Sequence, residues 1–289
     1  MIERPTLGII GVGKVGNTLG RLAHRAGYRI EAVCSRDAAK AGAFAADVGA
    51  RVVQSPAEVL PWCQIVLLTV ADDAILPVVK EMLAALREGA PPGIAIIHTS
   101  GSRELDMFDA LNAFGMTGGS LHPAFPFTGS EIESVAGAAF AIEIDDAIVY
   151  QWLEALVIAL GGVPLRIPRG SKALYHAALV MASNYLVVLY ALAERLLGEM
   201  KVDRETAKAA LLPLMRASLD NIAAQGVPAA LPGPLVRGDA GTVAANLAAL
   251  VNNPEARAIY KALALAALPM AQARGVETEA LRATIEASR

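Results

Sequence analysis

A short apolar run, Leu7–Ile10, leads directly into Gly11-Val12-Gly13-Lys14-Val15-Gly16, and a helical pattern starts within that turn. The spacing G-x-G-x-x-G between a strand and a helix admits few folds. The first glycine makes a tight turn, the second lets the backbone approach a ligand with no Cβ in the way, and the third lets the helix pack against the strand. The free N–H groups and partial positive charge of the helix start then face the ligand, which suits a phosphate. Gly11, Val12, Gly13, Lys14, Val15 and Gly16 are therefore expected to hold the pyrophosphate of a dinucleotide.

The pattern that follows supports this. Strands are expected at Arg29–Cys34, Arg51–Val53, Gln64–Val70, Ile94–His98, Thr117–Leu121, Ala138–Ile142 and Val163–Ile167. Helices are expected at Lys14–Ala26, Asp37–Asp47, Asp73–Arg87, Arg103–Phe114 and Ala147–Leu160. Such alternation implies a mainly parallel sheet covered on both faces. The pattern changes at Pro168-Arg169-Gly170. Beyond it only helices read clearly: Ser171–Met200, Arg204–Ala224, Thr242–Val251, Pro254–Arg274 and Glu277–Ala287. The expected class is α/β, a doubly wound Rossmann sheet followed by an all-helical C-terminal domain. The expected domains are a dinucleotide-binding domain at 1–168 and a helical substrate and dimerisation domain at 169–289.

Bulk composition removes several function classes. With 55% hydrophobic residues and a net charge of −3, there is material for large cores and no basic stripe for nucleic acid. The two cysteines, Cys34 and Cys63, have no metal-ligand spacing and read as small buried hydrophobes. The first strand starts by about Thr6, which leaves no room for a signal peptide, so a cytoplasmic location is expected. The apolar run Ala177–Ala193 is interrupted by Ser183 and Asn184. It falls short of the ~20 residues of a membrane span and reads as a buried helix of a soluble protein, with no membrane partner.

The second strand ends Val33-Cys34-Ser35-Arg36, without the carboxylate that would hold a free ribose 2′-hydroxyl. Ser35 and Arg36, with Lys40 a turn further on, suit a 2′-phosphate instead, so the expected cofactor is NADP. Thr69 and Val70, at the end of the fourth strand, should border the nucleotide. Asp72 or Asp73 reads as a cap for the next helix.

The next strand ends His98-Thr99-Ser100-Gly101-Ser102, where the nicotinamide should arrive. Thr99 is expected to contact the cofactor. Ser100 is expected to orient the substrate, and Ser102 either to contact it or to cap a helix. His122, ahead of Pro123, can donate or accept a proton at a strand's carboxyl end. Lys172, His176 and Ser183 fall at i, i+4 and i+11 of the long helix and so share a face, either toward a cleft or between subunits.

The layout resembles the 6-phosphogluconate-dehydrogenase-like oxidoreductases. More closely, Lys172-Ala173-Leu174-Tyr175-His176 and Gly233-Pro234-Leu235-Val236-Arg237-Gly238-Asp239 resemble a bacterial branch whose helical domain has no assigned function. The resemblance implies that Lys172 is the catalytic lysine of the long helix. His176 stands where relatives have asparagine, and His122-Pro123 is similar to the His-Pro of prephenate dehydrogenases. Arg237 can bind a substrate carboxylate or pair with Asp239.

The expected function is an NADP(H)-dependent oxidoreductase. It would move hydride between nicotinamide and a small carbonyl, imine, hydroxyl or amine substrate. Lys172 or His122 would be acid/base, with His176 and Ser100 orienting, and a homodimer would form through the helical domain. Two alternatives are a non-catalytic NADP(H)-binding regulatory protein and a reductase of a second bound coenzyme of the deazaflavin type.

Overall fold

The computed structural model describes residues 4–86, 93–128 and 134–287. The expected helix end at Arg87 lies outside the described residues. The chain forms two compact units, 1–182 and 183–289.

The first unit is built on an eight-stranded sheet: β1 (Leu7–Ile10), β2 (Ile30–Cys34), β3 (Arg51–Val52), β4 (Ile65–Leu68), β5 (Ala95–His98), β6 (Thr117–Pro123), β7 (Ala139–Glu143) and β8 (Val163–Arg166). Their spatial order is β3-β2-β1-β4-β5-β6-β7-β8. Every pairing is parallel except β6 with β7. The chain order reverses between β1 and β4, so their carboxyl ends open a crevice beside the glycine turn.

Strands β1 and β4 are buried along their whole length. Leu7, Ile9, Ile65 and Leu67 join one apolar cluster, while Ile10, Val66 and Leu68 join another. Alternate residues thus feed cores on opposite faces, as expected of parallel strands covered on both sides. The covering helices are α1 (Lys14–Arg25), α2 (Ala38–Val48), α3 (Ile75–Ala85) and α4 (Ala147–Ala159). Asp37 caps α2 by accepting from the Lys40 amide at 3.0 Å, and Asp146 caps α4. Cys34 and Cys63 are buried and free.

The structure departs from the sequence reading in three places. Leu105–Phe114 is 3-10 rather than α-helical, and Pro56–Trp62 adds a 3-10 segment that the sequence reading lacked. The expected Ser171–Met200 helix is interrupted. It comprises α5 (Lys172–Leu179), a π-helical segment Val180–Asn184, and α6 (Tyr185–Glu199). The wider π turn shifts the register between Lys172, which is buried, and Ser183, which is exposed. Ala182, where the first unit ends, lies within this segment. The compositional change at Pro168 precedes it because Lys172 still packs into the first unit.

In the second unit, α8 (Ala240–Ala249), α9 (Pro254–Ala273) and α10 (Glu279–Ala287) bury Val243, Leu247, Leu268, Leu281 and Ile285 together. α6 has no buried residue, and α7 (Arg204–Gln225) buries only Ala207. The expectation of a buried helix therefore fails for the single chain. Lys172–Glu199 is long and apolar enough to cross a membrane by length and composition, with a mean hydropathy of 1.6.

Candidate functional site

A cavity of about 550 Å³ lies over the carboxyl ends of β1, β2 and β4. Gly11, Val12, Gly13, Ser35, Arg36, Lys40, Thr69 and Val70 all line it, so the sequence brings the predicted nucleotide residues to one place. Lys14, Val15 and Gly16 follow in the first turn of α1.

The glycines divide their work as the motif requires. Gly11 has φ +99°, a conformation that L side chains rarely adopt. A Cβ on Gly13 would meet nothing within 4 Å, so the space above it is open. A Cβ on Gly16 would collide with the Gly11 carbonyl and the Thr69 hydroxyl. That hydroxyl donates to the Gly11 carbonyl at 2.5 Å and ties the turn to β4. No side chain caps the start of α1, and its first turn holds no acid. Its amides are left for an anion.

Arg36 is exposed and has no ion pair among the described residues. Lys40 pairs with Asp37 at 3.3 Å. A guanidinium, an ammonium and the Ser35 hydroxyl around one cavity fit a dinucleotide bearing an extra phosphate.

A second group of side chains continues along the carboxyl ends of β4, β5 and β6. Asp72, just past β4, accepts from the Ser100 hydroxyl at 2.7 Å and the Ser102 hydroxyl at 3.2 Å. The Ser100 oxygen also accepts from the amides of Ser102 and Arg103. Ser100 is buried and its hydroxyl is fully engaged in shaping this turn. It holds the loop in place. Thr99 turns its hydroxyl back to the Leu68 carbonyl at 3.3 Å.

Lys172 is fully buried, and its ammonium donates to the Ser100 carbonyl at 2.7 Å. Burial pulls it down to about 8, against the opposing carboxylates of Glu143, Glu104 and Asp72. Glu143 accepts from the Gly170 amide at 3.0 Å and Glu104 from the Ala173 amide at 3.3 Å, so the two seat the start of α5. Each keeps a second oxygen buried without a partner among the described residues. Burial pushes Glu143 above the usual carboxylate range. The helix start thus carries Lys172 into the protein.

His122 is half-buried. Its Nδ1 lies 2.9 Å from the Tyr175 hydroxyl, with the rings edge-on at 83°. Burial, then the charges of Lys172 and His176, lower it to about 4, with Asp72 opposing. His98 is wholly buried, accepts from the Ser100 amide, and is held down to about 3 by burial, Lys172 and His122. Burial pushes Tyr175 up to about 12.

His176 has its Nδ1 buried without a partner among the described residues. Ser183 and Arg237 are exposed in the second unit, and among the described residues neither has a side-chain hydrogen bond or ion pair. Asp239 caps α8 through the Thr242 amide and hydroxyl. Asp72, Tyr175, His98, Glu104 and Glu143 were missed as site residues. Asp72 and Tyr175 were in view as a helix cap and part of a motif, but no local spacing gives their contacts.

Comparison with known proteins agrees with this geometry. Residues 6–91 match the family described as NADP oxidoreductase, coenzyme F420-dependent. Residues 138–267 match a domain of unknown function, DUF2520. The N-terminal part of the chain is thus similar to NADP oxidoreductases and the C-terminal part to DUF2520 domains. NADP, the cofactor expected from Ser35 and Arg36, is the one named for the matched family.

Among solved structures, protein TM1727 from Thermotoga maritima is 23% identical with a TM-score of 0.74, over 93% of this chain and all of that one. An imine reductase from Pseudomonas sp. is 18% identical with a TM-score of 0.64, over 99% and 100% of the two chains. A reductive aminase from Aspergillus terreus, in complex with NADPH and ethyl-5-oxohexanoate, is 18% identical with a TM-score of 0.63, over 98% and 93%. These likenesses show the Rossmann-plus-helical fold. No curated protein matches the sequence.

Proposed function

We propose that this protein transfers hydride between NADP(H) and the carbon of a small C=O or C=N substrate, or the reverse from an alcohol or amine. The observation that carries this is the continuity of the site: Thr69 lines the nucleotide cavity, and Asp72, three residues on, holds the Ser100–Ser102 turn. His122 and Tyr175 follow on the next strand and on α5. A proton-handling pair thus stands along the strand ends from the nucleotide.

The cofactor supplies the hydride, and the chain supplies placement and charge. The glycine turn and the start of α1 bind the pyrophosphate, and Ser35, Arg36 and Lys40 the 2′-phosphate. Lys172 holds the Ser100 carbonyl and gives the turn behind the reacting centre a buried positive charge. It is a positioning residue. His122, half-buried and neutral at pH 7, and Tyr175, bonded to it and also partly exposed, are the groups that can reach a substrate. The imine reductase and reductive aminase likenesses favour a C=N acceptor.

A second reading, reduction of a deazaflavin coenzyme, draws support from the wording of the first family match. That match ends at residue 91, before Ser100 and His122. For the exposed apolar face of α6 and α7 we propose a second copy of the chain as partner. Ser183, Asn184, Glu194 and Arg195 interrupt that helix run, which a bilayer would penalise and a protein interface can bond.

Fluorescence titration with NADPH and NADH tests the first half of the reading. The second half is tested by NADPH consumption with a 2-oxo acid, a cyclic imine, cyclohexanone plus allylamine, or an oxidised deazaflavin. NADPH should bind more tightly, and one of the C=O or C=N acceptors should consume it. Failure to bind either nucleotide overturns the reading, and consumption only with the deazaflavin replaces it.

A further inference from the structure

We propose that Tyr175 is the proton donor of the reaction and that His122 is its partner in a two-residue relay from solvent; this rests on the reductase reading above. Three observations point to it. The hydroxyl of Tyr175 and the Nδ1 of His122 are 2.9 Å apart, a hydrogen bond joining elements 53 residues apart in sequence. The imidazole lies against Gly101, where a Cβ would stand 2.8 Å from Nε2, so any side chain there would displace the ring. Gly101 follows Ser100, whose carbonyl and hydroxyl are held by Lys172 and Asp72. Lys172 itself is sealed from solvent, whereas Tyr175 and His122 are both partly exposed.

The surroundings suit a neutral relay. Lys172 and His176 on α5, Asp72 beyond β4 and His98 on β5 are the charged or titratable groups around His122. At neutral pH Tyr175 is protonated, a state burial favours further, and burial with the charges of Lys172 and His176 holds His122 uncharged.

The proposed step balances as follows. Hydride from NADPH forms the new C–H bond, and the π electrons of C=O or C=N move to the heteroatom. That heteroatom takes the proton of the Tyr175 hydroxyl. The tyrosine oxygen takes the proton on His122 Nδ1, and Nε2 takes one from water. The imidazole ends as its other neutral tautomer, and proton exchange with water, loss from Nε2 and gain at Nδ1, restores the starting form; the net reactants are the acceptor, NADPH and one solvent proton.

The test uses the full-length protein with ¹⁵N-labelled histidine. Addition of NADPH should shift the ring resonances of His122, and Tyr175→Phe should shift them without NADPH. With whichever acceptor of the panel supports turnover, Tyr175→Phe should lower kcat about 100-fold. The Kd for NADPH should stay within about two-fold, and the solvent deuterium isotope effect on kcat should vanish. His122→Asn should also cost about ten-fold in kcat, which guards against a Tyr175 variant that fails to fold.

His122 resonances that ignore NADPH overturn the proposal whatever the turnover. Wild-type turnover that survives in Tyr175→Phe within about three-fold overturns it and leaves the reductase reading standing. A wild type that responds to NADPH in the spectra but reduces no acceptor overturns the reductase reading, and the relay with it.

Discussion

Replacing Lys172 by methionine gives the most direct check on the buried cation. Lys172 is fully buried and its proton affinity falls from the ordinary 10.5 to about 8 on folding. Between those values the unfolded chain binds more protons than the folded one. Stability of the wild type therefore gains a rising contribution as pH climbs from about 8 toward 10.5. A depression of this size is worth ~3 kcal/mol across the window, at 1.36 kcal/mol per unit. The methionine variant lacks that contribution. Cys63 and Tyr175 are each pushed up to about 12 and act in the opposite direction. Neither shift involves Lys172, so both cancel in the difference between the two proteins. Urea unfolding of wild type and Lys172→Met at steps from pH 7.5 to 10.5 should show the wild type gaining on the variant throughout. Curves that stay parallel within ~0.5 kcal/mol would refute the argument, because an ammonium unaffected by burial produces no slope here.

Four further outcomes are expected. Arg36→Asp should weaken NADPH binding by about 10- to 100-fold and leave NADH nearly unchanged, read by fluorescence titration, since a charge-assisted bond to phosphate is lost. Gly13→Val should abolish NADPH binding with little change in Tm, because the space above Gly13 is open. Gly16→Ala should cost about 1–3 kcal/mol in urea unfolding, because its Cβ meets backbone. Val187→Glu, on the exposed face of α6 where Val187 is 67% exposed, should convert a dimer to monomer in sedimentation velocity; a monomeric wild type would discard the second copy as partner.

The sequence made the nucleotide half of the molecule legible because its determinants are local. A strand, three glycines and a helix start lie within ten residues, and Ser35 and Arg36 follow at the tip of the next strand. Period-2 and period-3.6 patterns then located nearly every element. The second half of the site was legible only in part, because it is assembled by contacts between residues far apart in the chain. Asp72 meets Ser100 across 28 residues, His122 meets Tyr175 across 53, and Lys172 meets Ser100 across 72. Asp72 looked like a helix cap because an aspartate ahead of a helix usually is one. Tyr175 stood only as a member of the Lys172–His176 motif. The inward turn of Lys172 depends on Glu104 and Glu143, which bond amides at the start of α5 from two other elements. No spacing within the helix signals that.

The arrangement of charge around Ser100 has a consequence for the reaction. His98, His122 and Lys172 crowd together, and three cations so close and so buried would repel one another. The protein resolves this by holding both histidines neutral, at about 3 and about 4, while Lys172 keeps its proton below about 8. One positive charge therefore remains, shielded from water and fixed to the Ser100 carbonyl before any substrate arrives. In the reaction proposed above, hydride transfer to C=O or C=N would build negative charge on the heteroatom. A fixed charge in a poorly solvated setting stabilises that developing charge without reorganising. Glu104 and Glu143 oppose the ammonium's loss of proton through their charge, but their hydrogen bonds go to backbone amides, and Lys172 has no ion pair among the described residues. A direct ion pair would have neutralised the lysine. By seating the helix instead, the two carboxylates keep Lys172 buried and leave its charge available to the Ser100 turn.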